Sequence, residues 1–380
     1  MIWLCLALIP AALAVSFPLT GVLARLGHRL RTYDSPGVEG QVKAPQRRVP
    51  NTGGIAIFAG VALPMIAGLA LLVPLGRTTD REWQEEPGLI PVALWEHVPG
   101  IAQQAPLAVG LLVALAVLHL LGLIDDRRPL GPWVKLAVML GAAGAIAAFT
   151  DTRLFTALDP RVGGPWLSIA ATVLWIAIVT NAMNFIDNMD GLCAGVASVA
   201  GACFLAASLL AGQWFVAATL ALLVGSCLGF LAYNRPPARI FMGDGGSLVI
   251  GFLLGFLTVR TTYYDPDAAG GWYAVFMPLV VLAVPLYDFA SVTIVRLRHG
   301  RSPFVGDLNH FSHRLVRRGL GKPATVAVIC GLTGVTGLSG VMLASLAPWQ
   351  AILVGVQCVV ILLVVAAFEF ASAPRNGTGT

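Results

Sequence analysis

Charge is what this sequence has least of. Asp, Glu, Lys and Arg make up 11% of its 380 residues, against roughly a quarter in an ordinary soluble domain. With 57% hydrophobic residues and a mean hydropathy of +0.81, there is too little polar surface for a water-soluble globule. That excludes a soluble enzyme and leaves a polytopic, all-α integral membrane protein. Paired cysteines are missing as well. The six, at 5, 193, 203, 227, 330 and 358, lie singly in or beside apolar runs, without C-x-x-C or metal-ligand spacing. A disulfide framework or zinc cluster is therefore not expected, and they read as small buried hydrophobes. Low-complexity sequence is confined to the tail NGTGT.

Long apolar runs, by contrast, are abundant. A span needs about 20 mainly apolar residues, and eleven stretches qualify: roughly 2–24, 54–75, 105–124, 132–150, 166–184, 192–211, 213–233, 247–260, 273–297, 323–346 and 350–370. The eighth is the shortest. Together they predict one integral-membrane domain over residues 1–372, with a short tail at 373–380. The first run has signal-peptide character near Ala12-Leu13-Ala14, but no basic residue precedes Arg25 and the run continues past that point. It reads as a retained helix with its N-terminus outside. Eleven spans divide the remaining chain into two sets of loops, one holding 19 of the 24 Lys and Arg residues and the other five. The basic set is expected to face the cytoplasm, which puts the polar loops inside.

Acidic residues on that same face fall in short clusters beside Gly and Asn. They are Asp125 with Asp126, Asp187 with Asp190, and Asp244, each at the inner end of a predicted span. Carboxylates gathered at one membrane face repel one another unless a cation neutralises them. A hard dication, Mg²⁺ or Mn²⁺, suits oxygen ligands and shared phosphate oxygens.

The stretch NAMNFIDNMDG (181–191) ends a run without any charge. Asn184, Asp187 and Asp190 are spaced three apart, so a persisting helix would point them into one sector. Gly191 then lets the chain leave the helix. Helix capping alone explains any one of these residues but not five polar residues in eleven. In GLIDDRRPLGPWVK (122–135), adjacent residues differ by about 100° on a helix, so Asp125 and Asp126 cannot do the same job. In YNRPPARIFMGDGGSLVIGF (233–252), Gly243, Gly245 and Gly246 permit close backbone approach, and the following span offers free N–H groups to an anion. Asp244 among them is placed to hold a metal that bridges to that anion. The last large loop (296–322) carries His310 and His313 among seven basic residues, a wall suited to pyrophosphate; on its own it would read as a lipid-headgroup contact. In the first loop, Arg47 and Arg48 read as the positive-inside signal, with Lys43 a candidate contact.

GLIDD, NFIDNMDGL, NRPPARIFMGDGGSL and SPFVGDLNHFSHRL, in this order and on one face, resemble the polyprenyl-phosphate N-acetylhexosamine-1-phosphate transferases. That family contains the enzymes initiating enterobacterial-antigen, O-antigen and teichoic-acid synthesis, and the peptidoglycan lipid I synthase. The resemblance spans about residues 43 to 318. It implies displacement of UMP from a UDP-N-acetylhexosamine by undecaprenyl phosphate, with Mg²⁺ or Mn²⁺. Expected partners are those two substrates, the bilayer and, as one arrangement, a second copy of the chain; nucleic acid is not among them. The resemblance also implies catalytic roles for Asp125, Asp126, Asp187, Asp190, His310 and His313, and metal ligation by Asp244 and Asp187. Substrate contacts fall to Lys43, Lys135, Asn184 and Arg314, with Asn234 and Phe241 at the uridine end, where an aromatic face suits uracil.

The family's last motif often carries adjacent histidines, whereas HFSH places Ser312 between His310 and His313. With VPNTGG in the first loop, this leans toward the N-acetylglucosamine-1-phosphate branch rather than lipid I synthesis. Direct displacement and a covalent aspartyl-phosphate on Asp125 use the same residues. A transporter is the rival from another class, but its acids belong near the bilayer midplane rather than at span ends.

Overall fold

The computed structural model describes residues 1–33, 47–77, 92–150, 152–263, 271–303 and 307–370. Among them the chain is helical, with two isolated β-bridges and no strand. The helices in order are α1 (Ile2–Leu30), α2 (Gly54–Arg77), α3 (Val92–Trp95), α4 (Val98–Asp125), α5 (Pro132–Phe149), α6 (Asp159–Val162), α7 (Trp166–Ile186) and α8 (Leu192–Leu210). They continue as α9 (Trp214–Asn234), α10 (Asp244–Arg260), α11 (Met277–Val281), α12 (Ala283–Arg298), α13 (Phe311–Arg317), α14 (Lys322–Met342) and α15 (Pro348–Phe370).

Nine of these are long and apolar enough to cross a bilayer among the described residues: α1, α2, α4, α5, α7, α8, α9, α14 and α15. The expected stretch at 273–297 is instead a broken span. The segment ending in α11 meets α12 at 63°, and counted as one span the pair brings the total among the described residues to ten. Pro285 accounts for the break, because it has no N–H to offer Val281 and its ring crowds that carbonyl in a continuous helix. The remaining expected stretch, 247–260, lies in α10, whose 17 residues cover about 26 Å at 1.5 Å per residue. That is short of the roughly 30 Å hydrocarbon core.

α10 tolerates being short because it meets protein rather than lipid. Every residue from Gly245 to Val259 is buried, and the helix packs against α7, α4 and α2. α15 is its opposite: Ile352, Leu353, Leu363 and Val364 are each more than half exposed, as expected where the neighbour is an acyl chain. α1 closes on α9 through small residues, with the Ser16 hydroxyl donating to the Ser226 carbonyl at 2.8 Å.

This layering predicts a sharp contrast. Phe256→Ala on fully buried α10 should cost about 3–5 kcal/mol, whereas Leu363→Ala on lipid-facing α15 should stay within about 0.5 kcal/mol. Thermal unfolding in detergent micelles distinguishes them, and equal shifts would contradict the placement of α10 at the centre.

Candidate active site

The site is organised by the first turn of α10. Gly243 precedes it with φ of 68°, a left-handed conformation that a side chain would strain. A Cβ there would also fall 2.4 Å from an Asp126 oxygen. From the neighbouring helix, Gly122 of α4 approaches so closely that a Cβ would lie 2.3 Å from the Gly245 nitrogen. Two backbones therefore meet with no side chain between them.

That contact puts Asp126, just past the end of α4, at the N-terminus of α10. The Asp244 N–H donates to Asp126 Oδ1 at 3.0 Å and the Gly245 N–H to Oδ2 at 3.3 Å. Asn51 Nδ2 adds a third donor, to Oδ1 at 3.2 Å. A carboxylate borrowed from α4 thus satisfies N–H groups that a helix leaves open and complements its dipole. His119, about two turns back on α4, has Nδ1 at 2.7 Å from the Gly245 carbonyl oxygen. A carbonyl only accepts, so Nδ1 carries the hydrogen. Asp126, expected in catalysis, is 7% exposed, and the contacts described here are those of a helix cap.

Asp125 points elsewhere, as the 100° offset requires. Its Oδ1 accepts from the Leu130 N–H at 2.8 Å, holding the turn after α4, and its Oδ2 meets Lys135 Nζ at 3.0 Å. The same ammonium reaches Asp244 Oδ2 at 2.8 Å. Asp244 Oδ1 accepts from Asn184 Nδ2 at 2.9 Å, and that amide also reaches Ser247 Oγ at 2.9 Å. Asp125, Asp244, Lys135 and Asn184, from four separate segments, are therefore one cluster. All four are partly open to solvent.

The 181–191 stretch behaves differently from a continued helix. α7 ends at Ile186, and Asp187 is its C-cap residue with ψ of 46°, so the three-residue spacing does not place Asp190 beside Asn184. Asp190 turns toward the first loop instead. It accepts from Arg47 Nη1 at 2.5 Å and from the Ala238 N–H at 2.9 Å. Arg47 also donates to the Ala238 carbonyl at 3.1 Å and lies 5.6 Å from the centre of the Phe241 ring. Arg47, weighed in the sequence only as topology signal, is thus the tie between two site loops. Asn234 is likewise a clamp: it is 4% exposed, its Oδ1 accepts from Gly191 N–H and its Nδ2 donates to the Ile240 carbonyl, each at 2.8 Å. It supports the segment carrying Phe241 from behind rather than presenting itself to a ligand. Phe241 itself pairs in backbone with Pro50 and Gly53. Lys43 lies outside the described residues.

The His loop is bolted down by charges that the sequence reading passed over. Asp288, fully buried in α12, takes His310 Nδ1 at 2.9 Å and the Phe311 N–H at 2.6 Å. Arg296, 2% exposed, bonds Asp307 at 3.1 Å and the Pro303 carbonyl at 2.7 Å, with its guanidinium 5.1 Å from the Phe185 ring centre. Arginine 314, expected at the substrate, is buried and spent internally: Nε bonds Glu369 at 3.0 Å and Nη2 bonds Ser291 at 2.7 Å. His310 is 6% exposed, so it too serves from inside the loop. His313 stays half-buried on α13. The available signal for Asp288 and Arg296 was their presence, eight residues apart, in an otherwise apolar run, since ionisable residues within a span are rarely idle.

Burial, with Arg317 and Lys322 adding positive charge nearby, pushes the His313 imidazole down from its usual 6.5 to about 4. The folded protein therefore favours neutral His313, while an unfolded chain takes up the proton first. Stability from this residue is complete above about pH 6.5 and is lost as the pH falls toward 4. His313→Asn should flatten that part of the acid denaturation profile measured in detergent, and an unchanged profile would contradict the environment described.

Among the described residues no group of three or more His, Cys, Asp or Glu is arranged to hold a metal by itself. The chain matches the family model described as glycosyl transferase family 4 over residues 108–262, which takes in the Asp125, Asn184 and Asp244 segments. It is 28% identical over 370 residues to a protein of Bacillus subtilis named probable undecaprenyl-phosphate N-acetylglucosaminyl 1-phosphate transferase, covering 96% of this chain and 92% of that one. It is 30% identical over 358 residues to a decaprenyl-phosphate N-acetylglucosaminephosphotransferase of Mycolicibacterium smegmatis, covering 86% and 81%. A phospho-N-acetylmuramoyl-pentapeptide-transferase of Moorella thermoacetica is 32% identical over 213 residues, 52% of this chain and 67% of that one. The chain belongs to the polyprenyl-phosphate N-acetylhexosamine-1-phosphate transferases, within glycosyl transferase family 4.

Proposed function

We propose that this protein transfers N-acetylglucosamine-1-phosphate from UDP-N-acetylglucosamine to a polyprenyl phosphate, of which undecaprenyl phosphate is one form. UMP is released and the product starts an envelope polysaccharide. The observation that carries the reading is the cluster of Lys135 between Asp125 and Asp244 at the first turn of α10. It is a polar surface of two carboxylates around one ammonium at the end of a membrane bundle, where a lipid phosphate and a nucleotide diphosphate can meet. Relatives named for N-acetylglucosamine transfer align over 96% and 86% of the chain, whereas two named for muramoyl-pentapeptide transfer align over 52% and 75%.

The bond balance is simple. An oxygen of the polyprenyl phosphate forms a bond to the β-phosphorus of the UDP-sugar, and the bond from that phosphorus to the bridging oxygen of UMP breaks. A phosphate monoester has its second pKa near about 6, so the attacking oxygen is already ionised at neutral pH. Asp125 then need not remove a proton. Paired with Lys135, it holds the ammonium against the reacting phosphates, where a fixed cation lowers the cost of developing negative charge. We favour direct displacement for this reason, because Asp125 is occupied twice over, by Lys135 and by Leu130 N–H.

The donor set also fits a hard dication. It is made of oxygen ligands, and two carboxylates already share one cation; Mg²⁺ or Mn²⁺ takes one or two carboxylates and leaves its other positions to water and phosphate. Asp244 and Asp187 are the residues that would hold it, and it would supply charge neutralisation on the diphosphate. Lys135 and Asn184 orient the Asp244 carboxylate whether or not the ion is bound. Phe241, with Arg47 over one face, offers an aromatic surface for uracil, and the basic loop at Arg296 and His313 faces the leaving UMP. The excess of Lys and Arg in the loops on this face supports a site on the cytoplasmic side of an inner membrane.

The first test is lipid-dependent UMP release by the purified protein with undecaprenyl phosphate and Mg²⁺. UDP-N-acetylglucosamine should support it, and exclusive use of the muramoyl-pentapeptide nucleotide would move the protein to lipid I synthesis. Asp244→Asn and Asp125→Asn should each lower the rate by at least about 10²–10³-fold in protein that remains inserted and folded. Normal activity in either variant would rule the cluster out as the reaction site.

A further inference from the structure

Asp288 has no role in the reaction as described, yet it is the most enclosed carboxylate in the site region, with an exposure of 0%. An ionised carboxylate only accepts hydrogen bonds. With His310 Nδ1 at 2.9 Å from Oδ2, that nitrogen must carry the hydrogen. On the other side of the ring, His310 Nε2 lies 3.4 Å from Arg296 Nη2. A guanidinium only donates, so Nε2 must present its lone pair. Asp288, His310 and Arg296 therefore form a chain that reads in one direction, with the imidazole neutral and in a single tautomer. The opposite tautomer, or an imidazolium, would set an N–H against the N–H groups of Arg296.

Arg296 is where this order is delivered. Asp307, the Pro303 carbonyl and His310 hold its two terminal nitrogens, and the Phe185 ring lies against its face. Phe185 also touches the His310 ring edge-on, with centroids 5.7 Å apart, and stands between Asn184 and Asp187 in sequence. The guanidinium is therefore fixed against the end of α7, and its Nε has no hydrogen-bond partner among the described residues. A buried donor without an acceptor is a position that an incoming acceptor improves.

We infer that Asp288 is a positioning residue for the transfer reaction. By fixing the tautomer of His310 it sets the Arg296 guanidinium to receive an acceptor oxygen of the nucleotide-diphosphate substrate. This inference rests on the sugar-nucleotide reading above. Asp288 touches no reacting atom and acts through two other side chains, while its second oxygen anchors the first N–H of α13.

Asp288→Asn separates the two duties. The Asn carbonyl oxygen can still accept from the Phe311 N–H, so the start of α13 is kept. Its amide then faces His310 Nδ1, drives the hydrogen to Nε2 and turns a donor toward Arg296. The expected result is a fall in kcat/KM for UDP-N-acetylglucosamine of at least about 10-fold, below the roughly 10⁴-fold that a wrong tautomer costs where the imidazole itself is the catalytic base. KM for the polyprenyl phosphate should stay within about twofold if the effect is confined to the nucleotide side. Selective ¹⁵N-histidine NMR on the intact protein in micelles should report Nδ1–H at His310 in the wild type and Nε2–H in the variant. Asp288→Glu, which keeps the acceptor, should recover part of the rate. In an Arg296→Lys background, adding Asp288→Asn should cost little more, because the two act in series.

Wild-type kcat/KM in Asp288→Asn would overturn the inference, as would full additivity with Arg296→Lys or an Nε2–H tautomer in the wild type. If Asp288→Asn fails to fold, the Asp288→Glu variant and the wild-type tautomer decide the matter: Nε2–H, or Glu with a lost kcat/KM but intact Nδ1–H, overturns it. If the wild type releases no UMP from any sugar nucleotide, the functional reading fails, while the wild-type tautomer still reports on the Asp288–His310 bond.

Discussion

The carboxylate of Asp126 at the start of α10 is the contact on which the site depends. It comes from α4, receives the N–H groups of Asp244 and Gly245, and is held in turn by Asn51. An unmade bond of this kind at a helix end costs about 1–3 kcal/mol per buried group, and no water from the bilayer core is at hand to replace it. Because the cap belongs to another helix, α10 cannot slide or rotate without losing it. The bare approach of Gly122 to Gly245 permits the cap, and His119 on the same helix fixes the carbonyl of the residue so capped. Asp244 is thereby presented to Lys135 and Asn184 on a frame made by α2, α4 and α7.

Around this frame the remaining charges fall into two kinds. Lys135, Asp125 and Asp244 are paired yet partly open, so a substrate phosphate can exchange with their present partners. Asp288, His310, Arg296, Arg314 and Glu369 are enclosed and bonded to one another. Removing one member of such a buried set leaves the others unpaired, a loss of about 3–5 kcal/mol. Enclosed charge on α12 therefore holds the His loop in place, and α15 takes part by supplying Glu369. Arg47 does comparable work on the other side of the site by joining Asp190, Ala238 and Phe241.

The bend between α11 and α12 links this scaffolding to the membrane. A straight span would carry Asp288 through lipid; a broken one lets α12 pack its buried face, with Asp288 and Arg296, against α7 and α14. Irregular backbone and ionised groups at membrane depth are tolerated where protein covers them. The same logic accounts for α10, which is too short for lipid but sufficient for a helix enclosed on every side.

The sequence by itself determined that this is a helical membrane protein, because a low charge content and repeated apolar runs leave no other solvent for it. It also marked the span ends whose polar residues gather into one cluster, since Asp125, Asn184, Asp244 and Lys135 stand at apolar-run boundaries where polar residues need a reason. Periodicity could not tell that α7 stops at Ile186, so it set Asp190 beside Asn184 when the chain had already turned toward Arg47. Nor could composition separate a polar side chain that meets solvent from one bonded to another segment inside the fold, which is why Asp126 was expected in catalysis and Asn234 and Arg314 at the substrate. Asp288 was hidden by its own surroundings, a single acid in an apolar run. Only the tertiary structure decided these roles, because a hydrogen-bond partner 118 or 22 positions away is fixed by how helices pack and leaves no mark in the local sequence.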